Sequence, residues 1–172
     1  MFLNYLKNFS TKKIVKNNLS NVKHLASEKV IKTVGIIFDE TYFYEREDLV
    51  KELIQNGIEE KDIKVLVYKD KIKKNEVFDY PIFSHKDLSW HGTVDKKEVK
   101  NFIAEPFDLL INYYDTEKVA LLLVSNLSKA SFKVGFASID KRLNHFMIDT
   151  NAENYIVFMS ELFKYLKILN KI

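Results

Sequence analysis

Charged residues stand directly after three apolar stretches of this sequence, where they could bind an ion or a small charged ligand. Asp39 and Glu40 follow the first stretch, Asp115 follows a second, and Asp140 and Arg142 follow a third. Carboxylates hold divalent cations together with bound water, and an arginine pairs with a phosphate or carboxylate through two hydrogen bonds. These five residues are a candidate ligand-binding set, although the same residue types are also typical of helix caps and solvated loops.

The hydrophobic pattern predicts the elements that must position these residues. Apolar runs predict strands at 34–38, 63–68, 81–83, 107–114, 132–136 and 146–148, and helical spacing predicts helices at 44–56, 96–104, 117–127 and 152–170. Asn151 is expected to cap the last helix, whose apolar residues cover most of its circumference and need the sheet or another chain as cover. Strands that alternate with helices predict an α/β fold, a three-layer Rossmann-like sandwich with a mainly parallel sheet.

Ligands of such sheets bind beyond the carboxyl ends of the strands, where the strand order reverses. The sequence therefore predicts that Asp39 and Asp115 lie at the same edge of the sheet, on neighbouring strands. The turn after the first strand contains no glycine and has two adjacent acids. Because a phosphate needs close backbone approach and is repelled by carboxylates, this turn argues against a dinucleotide site or a P-loop.

Motifs of common enzymes are missing from the sequence. It has no cysteine, so thiol nucleophiles, disulfides and zinc–thiolate sites are excluded. The histidines form no HExxH motif, and no serine lies in a Gly-x-Ser-x-Gly elbow. His85 and His91 are six residues apart and fit surface loops better than a metal site. We therefore predict no catalytic residue, no metal and no cofactor, and leave open whether the protein is an enzyme.

The positive charge is concentrated at the N-terminus. Residues 1–32 hold seven lysines and one acid and total +6, which leaves −3 for the rest of a chain whose net charge is +3. We divide the chain into a basic helical extension, 1–29, and a Rossmann-like domain, 30–172, that is expected to fold without it. The lysines that could contact a polyanion are Lys7, Lys12, Lys13 and Lys16, with Lys71, Lys73 and Lys74 from a second basic segment.

Three roles remain open for the basic extension. It is a solvated helix docked on the domain, an arm that binds RNA or another polyanion, or a segment that lies on an anionic membrane surface. The rest of the composition is that of a folded cytoplasmic protein, with 47% hydrophobic and 30% charged residues. No apolar run reaches the roughly 20 residues of a membrane span, and the N-terminus lacks the pattern of a signal peptide.

Two resemblances can be traced to particular residues. The segment FDLLINYYDTEKVALLLVSNLSKASFKVGF, from Phe107 to Phe136, resembles part of the N-terminal half of heptosyltransferase-type glycosyltransferases. The nucleotide-sugar-binding half of those enzymes has no counterpart here, so the resemblance implies no catalytic residue. Nearly the whole chain resembles a family of small uncharacterised bacterial proteins through GIIFDE, FDLLINYYD, KVGFASIDKRLN and ELFKYLKILNKI, which implies a single domain of similar length.

The function that this sequence favours is a non-catalytic binding or interaction module of the cytoplasm, whose partner and oligomeric state the sequence leaves unknown. One alternative is an enzyme that binds a nucleotide or sugar phosphate at the strand ends, or the remnant of a glycosyltransferase-like half domain. Another is an accessory protein of RNA or the ribosome that binds through its N-terminal lysines.

Overall fold

The computed structural model describes residues 12–13, 15–17, 19, 29–41, 43–73, 75–89 and 92–172. From Val34 onward the described residues form six strands and four α-helices. In chain order these are β1 (Val34–Asp39), α1 (Arg46–Gln55), β2 (Ile63–Tyr68), β3 (Ile82–Phe83), α2 (Lys97–Ala104), β4 (Leu109–Tyr113), α3 (Val119–Leu127), β5 (Phe132–Phe136), β6 (Phe146–Ile148) and α4 (Tyr155–Ile168).

The six strands form one sheet in the order β3-β2-β1-β4-β5-β6, and every pair in it is parallel. The strand β1 lies at the centre, where all six of its residues are buried. Its sequence, VGIIFD, is apolar until the last position, as expected of a strand covered on both faces. Chain order reverses at β1, since β2 and β4 lie on its two sides.

Helices cover both faces of the sheet. On one face α4 packs near α1, and its Phe158 contacts the rings of Tyr113 and Phe136. On the other face α2 packs near α3, and Phe102 of α2 contacts Phe107 beside Gly35. The protein is therefore an α/β sandwich of three layers with a Rossmann-like layout, and the predicted fold class is confirmed.

The end of α1 is fixed by a glycine. Gly57 has a backbone φ angle of +95°, which residues with a Cβ atom rarely adopt. Its N–H bonds the carbonyl of Ile54, and the N–H of Ile58 bonds that of Leu53, the two bonds of a Schellman motif. The motif turns the chain toward β2, as the position of the glycine predicts.

A buried polar network lies between the sheet and α3. The Ser125 hydroxyl lies 2.6 Å from the Tyr114 hydroxyl and donates to Asn112 Oδ1 at 2.8 Å. Asn112 in turn donates to Asn144 Oδ1 at 2.7 Å. A side chain at Gly135 would collide with this asparagine, because a Cβ there would lie 2.6 Å from Asn144 Nδ2. The glycine therefore leaves the space that the network occupies.

Two local predictions were wrong. The last helix begins at Tyr155 rather than near 152, and its N-cap is Asn154 instead of Asn151. Asn151 accepts a hydrogen bond from the Asn154 amide group inside the preceding turn.

The sheet is wholly parallel although residues 69–81 and 137–145, which connect β2 to β3 and β5 to β6, contain no α-helix among their described residues.

The described part of the N-terminal segment packs on the domain. Residues 12–13 and 15–17 are helical, and Val15 and Leu19 are buried in the same core as the central strand. Val22 and Ala26, which continue the apolar stripe in the sequence, lie outside the described residues. None of the helices in the described part of the chain has the length and apolarity needed to cross a bilayer.

Candidate functional site

The carboxyl edge of the sheet brings Asp39 and Asp115 to neighbouring positions. Phe38 pairs with Tyr113 in the register of β1 and β4, so Asp39 ends one strand while Asp115 lies two residues beyond the other. This is the switch in strand order at which doubly wound sheets bind their ligands. The predicted position of Asp39 and Asp115 at one edge of the sheet is therefore confirmed. The two carboxylates, however, contact different residues.

Asp39 forms an ion pair with Lys118, which lies in the loop between β4 and α3. Lys118, the N-cap residue of α3, places its Nζ 2.8 Å from Asp39 Oδ2, 3.2 Å from Asp70 Oδ2 and 2.8 Å from the Thr41 hydroxyl. The other Asp39 oxygen accepts hydrogen bonds from the N–H and hydroxyl of Thr41. The lysine thus connects the ends of β1, β2 and β4 and occupies the space between them.

Tyr68 forms one wall of this cluster. Its hydroxyl donates to Asp70 at 2.8 Å, and the Lys118 ammonium lies 5.0 Å from the centre of its ring. Burial, together with the hydrogen bond to Asp70, raises the pKa of the Tyr68 hydroxyl far above its ordinary value. The hydroxyl therefore remains a hydrogen-bond donor at any physiological pH.

Glu40 belongs to a second set of partners. It accepts a hydrogen bond from the Tyr80 hydroxyl at 2.9 Å and lies 3.5 Å from Lys69 and 3.7 Å from Arg46. The Arg46 guanidinium stacks on the Tyr80 ring at 3.6 Å, and Lys69 also pairs with Glu76 at 2.8 Å. Two cations near Glu40 offset the desolvation cost of a carboxylate that is only 9% exposed.

The remaining candidates form separate contacts. Asp115 accepts a hydrogen bond from the backbone N–H of Ala152 at 3.0 Å, which joins the strand edge to the segment before α4. Asp140 and Arg142 form a two-bond ion pair of 2.7 and 2.9 Å. The hydrogen bonds from Arg142 lower the pKa of the Asp140 carboxyl to about 2. Arg142 also donates to the carbonyl of Lys16 and so attaches the N-terminal segment to the domain.

A cleft of about 360 Å³ opens beside Lys118. Its lining residues come from the ends of β2 and β3 and from the first turn of α3: Tyr68, Asp70, His85, Leu88, Glu117, Lys118, Val119 and Ala120. No side chain of the described residues caps the amino end of α3. The first N–H groups of that helix therefore remain available as donors, and they carry the positive end of the helix dipole.

The sequence does not predict most of the residues that line this cleft. Lys118, Asp70 and Tyr68 carry no motif, and the sequence predicts a surface loop for His85. His85 is partly buried and lines the cleft, while His91 lies outside the described residues. One signal was available, since Lys118 stands between the fourth strand and its helix, where this fold presents ligand-binding residues.

The described N-terminal lysines contact an acid of the same edge. Lys16 lies 2.8 Å and Lys12 3.8 Å from Glu117, which also lines the cleft. Lys13 is exposed, as are Lys71 and Lys73 in the other basic segment. Lys7 and Lys74 lie outside the described residues. Two of the lysines predicted to contact a polyanion thus form ion pairs within the protein.

The described residues contain no group of three or more histidine, aspartate or glutamate side chains placed to hold a metal ion. The carboxylates at the strand ends are instead bound by lysine, arginine and backbone N–H groups, as set out above. The edge therefore has the chemistry of a polar binding surface, with fixed charges around the cleft beside Lys118 and around a second cleft of about 390 Å³ beside Glu40 and Lys69.

The strand order, the helices on both faces and the cleft at the carboxyl edge define a doubly wound α/β domain of the Rossmann-like class. The chain belongs to a family of unknown function, DUF6913, whose model matches residues 7–169. No curated protein and no solved structure matches the chain. The comparisons thus agree with a resemblance to a family without an assigned function, and they give no support to the resemblance to heptosyltransferases.

Proposed function

We propose that this protein is a non-catalytic binding module of the cytoplasm that takes a small ligand with an anionic group in the cleft beside Lys118. The observation that carries the proposal is the uncapped amino end of α3, flanked by Lys118 and His85. Backbone N–H groups at a helix start, together with nearby cations, favour a carboxylate or phosphate. The cleft volume of about 360 Å³ suits a small molecule.

The acids that line the cleft do not oppose this assignment, because each already has a cation beside it. Asp70 lies 3.2 Å from Lys118, and Glu117 lies 2.8 Å from Lys16. The charge of Glu117 is therefore balanced within the protein, Asp70 shares Lys118 with Asp39, and the N–H groups of Val119 and Ala120 still need an acceptor.

The internal pairing of the strand-end residues supports binding without catalysis. A general base or nucleophile needs a group free to reach the substrate. Asp39, Glu40 and Asp140 are each bound to a cation of the protein. Asp115 is bound to a backbone N–H. Of these residues, Asp39 holds Lys118 at the cleft, whereas the other three fix neighbouring segments of the strand edge.

The test is a titration of the full chain with inorganic phosphate, AMP and glucose 6-phosphate, followed by NMR of the backbone amides. We expect concentration-dependent shifts at Val119 and Ala120. We also expect binding to weaken about tenfold in His85→Ala and in Lys118→Ala, the loss that corresponds to one charge-assisted contact. Lys97→Ala is the matched control, since this exposed lysine begins α2, another helix without a side-chain cap.

Two results would contradict the proposal. Unchanged amides at the start of α3 with all three probes would remove the anion site. New ³¹P resonances from AMP or glucose 6-phosphate during prolonged incubation would show turnover, so the protein would be the phosphate-binding enzyme of the alternative hypothesis.

A further inference from the structure

The outer side of α4 carries apolar residues that the domain leaves exposed. Ile156, Val157 and Ile168 are 65%, 49% and 63% exposed, whereas Phe158 and Leu162 on the inner side are completely buried. The sheet thus covers one side of this helix, and Val157 and Ile168 stand exposed on the other side together with Ser160, Lys164 and Lys167. A helix side that keeps apolar residues exposed can serve as a contact surface when a partner covers them.

The spacing along this face is that of a helix-pairing seam. Val157, Glu161, Lys164 and Ile168 follow one another at intervals of four, three and four residues. Residues at these intervals lie along one line of a helix, as the facing positions of a coiled coil do. Apolar residues stand at both ends of the seam, and an acid and a base stand in its middle.

The seam is complementary to its own reversed copy. When two α4 helices lie antiparallel about a two-fold axis between Leu162 and Phe163, Val157 faces Ile168 of the other copy at both ends. The same operation sets Glu161 opposite Lys164 twice. An isologous contact needs this property, because the same patch must fit itself. A parallel arrangement would instead set like charges against each other.

The residues beside the seam fit the same arrangement. Ile156 lines a groove of about 370 Å³ between α4 and α1, together with Phe163 and Lys167. Lys164 of the seam also lines this groove, so the groove borders the seam. Glu161 and Lys164 already pair within α4 at 3.0 Å, with both side chains more than a third exposed. In the antiparallel pair, the two copies therefore supply four charges of alternating sign.

We propose that a second copy of this chain docks on this face, with α4 antiparallel to α4 of the partner subunit. The contact is confined to a helix of 14 residues. It buries less than the roughly 1,200 Å² of stable interfaces, so we expect a reversible dimer with a dissociation constant of about 10–100 µM.

Sedimentation velocity of the full chain from about 5 µM to about 500 µM brackets this dissociation constant and tests the proposal. We expect the weight-average mass to rise from monomer to dimer with concentration. Glu161→Lys sets lysines against lysines in both contacts and should weaken dimerisation at least tenfold, as should Lys164→Glu by placing acids together. The double swap, Glu161→Lys with Lys164→Glu, should restore the dimer because each contact again joins opposite charges.

Matched controls make each outcome decisive. Lys51→Glu alters an equivalent exposed pair with Asp48 on α1 and should leave the dissociation constant unchanged. A circular dichroism melt of each variant shows that it folds. A protein that stays monomeric throughout the range overturns the proposal, and so does a dimer that persists in Glu161→Lys or Ile168→Glu, since that dimer uses another face.

Discussion

At the scale of single residues, the carboxyl edge shows how charges are partnered across the chain. Lys118 neutralises Asp39, from which it is 79 positions distant in the sequence, and also contacts Asp70. The sequence predicts that Asp39 ends a strand, because the apolar run stops there. It does not predict the lysine, because that contact depends on the path of a loop and on the reversal of strand order.

Another buried cation, Lys133 on β5, provides a test at this scale. It is 4% exposed, and its Nζ donates to the carbonyl of Ser125 at 2.7 Å. Burial lowers the pKa of Lys133 from 10.5 to about 8. Between these values the unfolded chain binds the proton more tightly than the native protein, so this group makes stability rise with pH from 8 to 10.5.

We expect Lys133→Met to be more stable than the natural protein by about 1–2 kcal/mol at pH 7, because a methionine fills the space without a desolvated charge. The gain should shrink as pH rises from 8 to 10.5. Urea unfolding of both proteins at pH 7, 9 and 10 measures this difference, with Lys129→Met as the exposed control. A variant that is less stable at pH 7 would mean that the bond to Ser125 outweighs the desolvation.

At the scale of elements, α3 and α4 each bury five apolar side chains, and those of α4 are the larger ones. Leu162 is fully buried at its centre, against the sheet. We expect Leu162→Ala to lower the free energy of unfolding by about 2–5 kcal/mol, the range for a buried leucine that leaves a cavity. Chemical denaturation measures this, and Ile156→Ala, at 65% exposure, should change it by less than about 0.5 kcal/mol. A similarly small change for Leu162→Ala would mean that the helix is peripheral.

The elements themselves were largely predictable from the sequence. The strands β5 and β6 have the predicted bounds, and α1 lies within the predicted helix and ends before Gly57. These predictions succeeded because buried strands and amphipathic helices have different apolar periods. The start of α4 could not be predicted, because Asn151 and Asn154 are equally good capping residues by type and the turn between them decides the boundary.

At the scale of the whole molecule, the division into an extension, 1–29, and a domain, 30–172, remains a prediction. The packing adds that part of the extension contacts the domain core. Val15 and Leu19 are 2% and 7% exposed within the domain core, and Arg142 bonds the backbone of Lys16. Lys12, Lys13 and Lys16 therefore lie beside residues that are part of the core. The segment has both a high charge and an apolar stripe, and an amphipathic helix uses the stripe to pack on the core while its charges face solvent.

Removal of residues 1–29 should leave a domain that folds, because all six strands begin after residue 33. We expect its free energy of unfolding to fall by about 3–6 kcal/mol, since two fully buried aliphatic side chains contribute about 1.5–3 kcal/mol each. Urea denaturation of the shortened chain measures this. Lys13→Ala in the full chain is the control, because that lysine is exposed. An unchanged stability would show that the extension is independent of the domain.

The outermost strands of the sheet, β3 and β6, have only two and three residues. Each therefore presents few unpaired N–H and C=O groups along its free side. A strand of another molecule could form only a few hydrogen bonds with it. Proteins that must avoid aggregation often blunt their sheet edges in this way. β1 and β4, the two central strands, are mostly apolar and have a paired strand on both sides. The strand β2 pairs with β3 only at Val67 and Tyr68, and its half-exposed first residues include a lysine, Lys64. Concentrated solutions of this protein should accordingly resist the growth of cross-β fibrils for as long as the domain remains folded.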